Sequence, residues 1–103
     1  MIDVRIKQEG YTKHIALSGN IDMANASECE EILTNNLTGV TKMALDLSGL
    51  LFIDSTGVGS LVSAIKCAFD KNIQFELVNV PEGIDEVFEI IGLYEVLQQG
   101  PGK

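Results

Sequence analysis

Polar and apolar side chains alternate from Asp3 to Lys7 and again from Lys13 to Ser18, on either side of Gly10-Tyr11-Thr12. This is the pattern of a β-hairpin with one buried face. Gly19-Asn20-Ile21-Asp22 breaks the alternation, and Ala26, Cys29, Leu33 and Leu37 then recur at helical spacing. Asp22 is the expected N-cap of this first helix, and Glu28, Glu30 and Glu31 give it an acidic outer face. After Thr38-Gly39, the mostly apolar Met43-Ala44-Leu45-Asp46-Leu47 reads as a central strand covered on both faces. Cap-forming Asp54-Ser55-Thr56-Gly57 precedes a second helical repeat at Val58, Leu61, Val62, Ile65 and Phe69, so a helix is expected from about Ser55. Ile73 to Val78 alternates again. Pro81 and Gly83 open a third helix carrying Ile84, Val87, Phe88 and Ile91, which Gly92 ends as a C′ residue.

Leu93 to Leu97 is expected to pack as one more short element, and residues 98–103 as a flexible tail after a single domain over residues 1–97. The order strand, strand, helix, strand, helix, strand, helix predicts an α/β domain. Its mixed sheet has about four strands, with an N-terminal antiparallel hairpin and crossover helices packed on it. At 103 residues there is room for one such domain and one modest core.

Charge narrows the partners. Fifteen acidic residues against seven basic ones give a formal net charge of -8, which repels nucleic-acid phosphates and anionic lipid and favours a basic protein surface. The start of the chain, Met-Ile-Asp-Val-Arg, has no apolar signal region, and no run reaches the ~20 apolar residues of a membrane span. A cytoplasmic protein with neither nucleic acid nor membrane as partner is expected. Cys29 and Cys67 lie far apart, each within a helical apolar repeat, and read as reduced core or near-core residues.

The chemistry concentrates at Asp54, Ser55 and Thr56. All three side chains can cap the orphaned N–H groups of a helix start, and capping alone is the plainest reading. Two further features exceed it. Gly57 and Gly59 flank Val58 in the first turn, where glycine costs ~1 kcal/mol each against alanine, and their missing side chains would open a path to the Ser55 hydroxyl. A phosphate on Ser55 would face the positive end of the helix dipole, beside a surface already acidic through Asp22 and Asp54.

The segment from Met43 to Leu61, Met-Ala-Leu-Asp-Leu-Ser-Gly-Leu-Leu-Phe-Ile-Asp-Ser-Thr-Gly-Val-Gly-Ser-Leu, resembles the signature of the STAS domains. The resemblance runs from the hairpin and Leu17-Ser18-Gly19-Asn20-Ile21-Asp22 to the helix ending near Gly92, and is strongest to the stand-alone anti-sigma-factor antagonists of bacterial partner switching. It implies that Ser55 is phosphorylated by an anti-sigma factor that is itself an ATP-dependent serine kinase of the GHKL type, and that a PP2C-type phosphatase removes the phosphate. By the same resemblance Asp54 orients the hydroxyl or contacts the kinase, Thr56 is a secondary hydroxyl, and Gly57 permits close approach. Asp22 and Met23 join the partner-binding face, with Val58 and Gly59 in the first turn of the helix. Asn20 stands where many relatives carry an acidic residue, a departure that bears on partner identity.

Other chemistries fit poorly. A serine hydrolase needs a base for Ser55, but the single histidine, His14, lies in the hairpin, and Ile53-Asp54-Ser55-Thr56-Gly57 lacks the first glycine of G-x-S-x-G. Gly57-Val58-Gly59 is an incomplete dinucleotide fingerprint with Val62 in place of the third glycine. One histidine and scattered carboxylates such as Glu86 form no metal-ligand set. No enzymatic activity, cofactor or metal is therefore expected. Two rival readings remain: a STAS-type interaction module whose target is not a sigma factor, and a static scaffold in which Ser55 is only a cap.

Overall fold

The computed structural model describes residues 2–101. The alternating N-terminal segments form β1 (Ile2–Glu9) and β2 (Thr12–Ile21), an antiparallel pair turned at Gly10-Tyr11, where Gly10 adopts φ 60°. The chain continues through α1 (Ala26–Thr34), β3 (Lys42–Ile53), α2 (Ser55–Asp70), β4 (Gln74–Val78), α3 (Glu82–Ile91) and α4 (Leu93–Gln99). The sheet order is β1-β2-β3-β4, with β2, β3 and β4 parallel. The expected mixed four-stranded α/β domain is therefore the observed one.

Both crossovers, β2-α1-β3 and β3-α2-β4, step the same way across the sheet, and right-handed crossovers in one direction place their helices on one face. Ile15, Leu17, Met43, Leu45 and Leu47 point into that face and are fully buried against Leu33, Val58, Leu61 and Ile65. Cys29 is buried among them, and burial pushes its thiol up to about 11. Cys67 is half-buried.

The expectation that the strand at Met43–Leu47 is covered on both faces is corrected. Its outward side chains, Ala44 and Asp46, lie on the solvent face of the sheet with Arg5, Lys7, His14 and Glu76; Ala44 is buried because it is small, and Asp46 is half-exposed. A parallel strand is enclosed on both sides only when successive crossovers reverse direction, and here they do not.

Three boundaries also differ. Helix α1 starts at Ala26, because the Asp22 carbonyl accepts from the N–H groups of Asn25 and Ala26 and the Asp22 carboxylate accepts from the Ala24 N–H. Asp22 thus closes a turn ahead of the helix, with Asn25 at the N-cap position. The last element is a helix that includes Gln98 and Gln99 from the expected tail; Gly102 and Lys103 lie outside the described residues. It is held to α3 across Gly92 (φ 90°) by buried Leu93, by an edge-on Phe88–Tyr94 contact, and by the Tyr94 hydroxyl, which donates to Asp85.

Strand β3 is longer than the apolar run suggested, and it takes up two extra residues against β2. Pairing passes from Ala16–Asp46 to Ser18–Gly49, and from Gly19–Leu50 to Asn20–Phe52. Each bulge resets the alternation. Leu50 and Ile53 turn inward, while Leu51 and Phe52 are 81% and 50% exposed. At the first bulge the strands approach so closely that a Cβ on Gly49 would lie 2.9 Å from Ser18 Cβ and nearer still to its Oγ. Gly49→Ala is expected to destabilise the fold by about 1–3 kcal/mol, read as a lower urea midpoint with unchanged slope.

Candidate functional site

The bulged end of β3 delivers Asp54 in an extended conformation, φ -104° and ψ -176°, as the N-cap of the sixteen-residue helix α2. Its Oδ1 accepts from the Gly57 N–H at 2.9 Å and from the Thr56 hydroxyl at 2.6 Å. The Thr56 hydroxyl, the Gly57 N–H and the Met23 N–H together hold the Asp54 carboxyl below the usual carboxylate value, with the Thr56 contribution largest. The carboxylate thus stays charged and fixed. These bonds leave out the hydroxyl of Ser55, the exposed first residue of α2.

The loop after β2 lies beside this turn. Asn25 braces it, its amide accepting from the Asp22 N–H and donating to the Asn20 carbonyl, each at 2.9 Å. Met23 is left 79% exposed, and a shallow depression runs from it past Thr56 and Gly59 to Ser63. The fold therefore brings Asp22, Met23, Asp54, Ser55, Thr56 and Gly59 to one surface.

The two glycines of the first turn differ in purpose. Gly59 is exposed, with nothing within 4 Å of a built Cβ, as a surface opening requires. Gly57 is buried, and a Cβ there would lie 2.8 Å from the Ile21 carbonyl oxygen and 2.6 Å from Ile53 Cγ1. The expectation that Gly57 admits a partner is corrected: it admits the protein's own β2. Val58 is fully buried in the core and is likewise removed from the partner-binding surface.

Two groups of residues were not foreseen. Asn25 carries no sequence signal beyond its place in a polar loop. Leu51 and Phe52, for which the sequence pattern gave no facing, line a groove of about 370 Å³ with Pro81, Ile84 and Val87, directly before Asp54. Their exposure follows from the β3 bulges.

The STAS domain model matches residues 3–101, nearly the whole chain. The chain belongs to the STAS domain family. It is similar to the anti-sigma-B factor antagonist of Staphylococcus aureus, 27% identical over 89 residues that cover 85% of this chain and 82% of that protein. In fold it resembles an anti-sigma factor antagonist from Mycobacterium paratuberculosis, with TM-score 0.82, 21% identity, and coverage of 92% of this STAS domain and 81% of that chain. The phosphorylated form of the Bacillus cell-fate determinant SpoIIAA matches with TM-score 0.71 and 21% identity over 90% of this chain and 86% of that one.

The first turn of this STAS domain yields two opposed expectations. Gly57→Ala should cost about 2 kcal/mol or more, because a backbone carbonyl blocks the methyl group, whereas Gly59→Ala should raise stability by about 0.5–1 kcal/mol. Thermal and urea unfolding of the two variants measure both. For Asp54, whose folded value is depressed, the stability contribution is complete above the ordinary value of 3.8 and is lost as pH falls through the folded value. Asp54→Asn keeps an acceptor oxygen but cannot titrate, so its stability should fall less steeply below pH 3.8 than that of the wild type.

Proposed function

We propose that this STAS protein is an anti-sigma-factor-antagonist-like phosphoswitch. Unphosphorylated, it binds and sequesters a switch-protein serine kinase; phosphorylation of Ser55 releases that kinase, and a PP2C-type phosphatase resets the cycle. The observation that carries this reading is the exposed Ser55 at the start of α2, outside the Asp54 hydrogen-bond cluster and beside exposed Met23. The names of its relatives support the reading, as does the solution of SpoIIAA in both phosphorylated and unphosphorylated forms.

The physics of the modification fits the site. A phosphoryl group adds about 1.5 to 2 negative charges at pH 7, and the N-terminus of α2 can carry them without loss of the fold. A partner docked over Ser55 meets these charges next to Asp54 and Asp22, where repulsion and desolvation oppose the complex. Only ~2.7 kcal/mol is needed for a hundredfold loss of affinity. The chain is the kinase substrate in this scheme, so ATP and Mg²⁺ belong to the GHKL-type partner. Among the described residues no helix is long and apolar enough to cross a membrane.

Affinity capture from lysate with wild-type, Ser55→Ala and Ser55→Asp baits tests the switch. Ser55→Ala should retain a kinase that Ser55→Asp binds at least about a hundredfold more weakly. The purified kinase should add one phosphoryl group to wild-type protein and none to Ser55→Ala. Three folded baits with the same partners and affinities would instead make the protein a static scaffold with Ser55 as a cap. The captured kinase's other client shows whether the pathway ends in a sigma factor.

A further inference from the structure

The solvent face of the sheet is unlike the rest of this acidic chain. Register places Lys7, His14, Ala44 and Glu76 in one row across the four strands, and Arg5, Ala16, Asp46 and Val78 in the next. A third row runs Glu9, Thr12, Lys42 and Gln74. Cations thus sit toward β1 in the first two rows and carboxylates toward β4, while the third row reverses the sign. Between them the small side chains of Ala16 and Ala44 leave a hollow of about 320 Å³.

We infer that this face binds a second copy of the same chain, through a two-fold axis parallel to the strands. Such an axis turns the order of strands around while keeping each row level with itself, so β1 lies over the partner copy's β4 and β2 over its β3. Lys7 of one copy then faces Glu76 of the other. Arg5 reaches Asp46 on the neighbouring strand, and Glu9 reaches Lys42, so every charged position in the three rows meets its opposite. Size matches as well as sign: the His14 ring enters the space over the second copy's Ala44, and Asp46 the space over its Ala16. An axis perpendicular to the strands stacks β1 on β1 and, level with the middle row, sets Lys7 against Lys7 and Glu76 against Glu76.

Within one chain these charges are only loosely engaged. Lys7 and His14 approach Glu9 at 3.5 and 3.2 Å, and Lys42 approaches Glu76 at 3.4 Å, all at partly exposed positions. Arg5 has no ion pair among the described residues. Asp3, on the same face, lies level with Ser18 and Gly49, beyond the last paired residue of β4, and so outside the rows that meet. Four strands about 4.8 Å apart, over the five-residue length of the three rows, present a footprint of roughly 300–500 Å² per copy. That is below the ~800 Å² of tight complexes, so the dimer is weak and concentration-dependent.

This inference is independent of the Ser55 reading, because the rows lie on the open sheet face and Ser55 begins α2 at the other end of β3. Sedimentation equilibrium of the full chain from about 10 µM to about 1 mM tests it. The weight-average mass should rise from the single-chain 11.1 kDa toward twice that value. Lys7→Glu leaves both sides of the face acidic and Glu76→Lys leaves both basic, so each alone should stay at single-chain mass. An equimolar mixture restores two Lys–Glu contacts across the axis, as many as the wild type has, and should associate again. Ser55→Asp should associate as wild type does. A wild-type mass that stays at 11.1 kDa throughout overturns the inference. So does association that Lys7→Glu leaves unchanged, or a mixture of the two variants, each folded by circular dichroism, that fails to associate.

Discussion

The functional end of the molecule depends on one close approach, between the first turn of α2 and the last residue of β2. The Ile21 carbonyl accepts from the Asp54 N–H at 3.2 Å and leaves no room for a side chain at position 57. A backbone carbonyl inside a sheet cannot retreat, so the helix start is set against the strand end at a fixed distance. From that contact follow the cap by Asp54, the outward position of Ser55, and the proximity of the loop carrying Asp22 and Met23. The Asn25 side chain then fixes the loop from its other side.

Much of this architecture was legible because its signals are local. Alternation around Gly10-Tyr11 marked the hairpin, and the spacing of Val58, Leu61, Val62 and Ile65 after Asp54 marked α2 and its cap. Asp54, Ser55 and Thr56 were legible as a group because adjacent residues at a helix start necessarily share a surface. The parts that were not legible depend on a partner strand or on topology. Nothing within Leu50–Ile53 reveals two bulges, which exist only relative to β2, yet they decide that Leu51 and Phe52 face outward. The purpose of Gly57 lies with Ile21, thirty-six residues earlier, so glycine there read as a surface opening when it is an internal fit. The bare face of the sheet follows from the direction of successive crossovers, which composition does not encode.

The charges separate by face. The first turn of α2 contains no acidic side chain of its own, and the carboxylates of Asp54 and Asp22 are both tied to backbone N–H groups. Added negative charge at this end meets unshielded helix dipole within the molecule and fixed carboxylates on the approach of a partner. The solvent face of the sheet instead carries both signs in register. The domain therefore presents two electrostatically different surfaces, one at the start of α2 with fixed carboxylates and one on the open sheet face with both signs interleaved.

The burial of Cys29 has a consequence for oxidative stress. A thiol pushed up to about 11 and enclosed between two helices and the sheet is almost entirely protonated at neutral pH, and peroxides act on the thiolate. The Cys29 thiol is therefore shielded from peroxides while the domain stays folded. Reagents that modify thiols reach this sulfur when α1 lifts from α2, which makes the residue a built-in reporter of local opening.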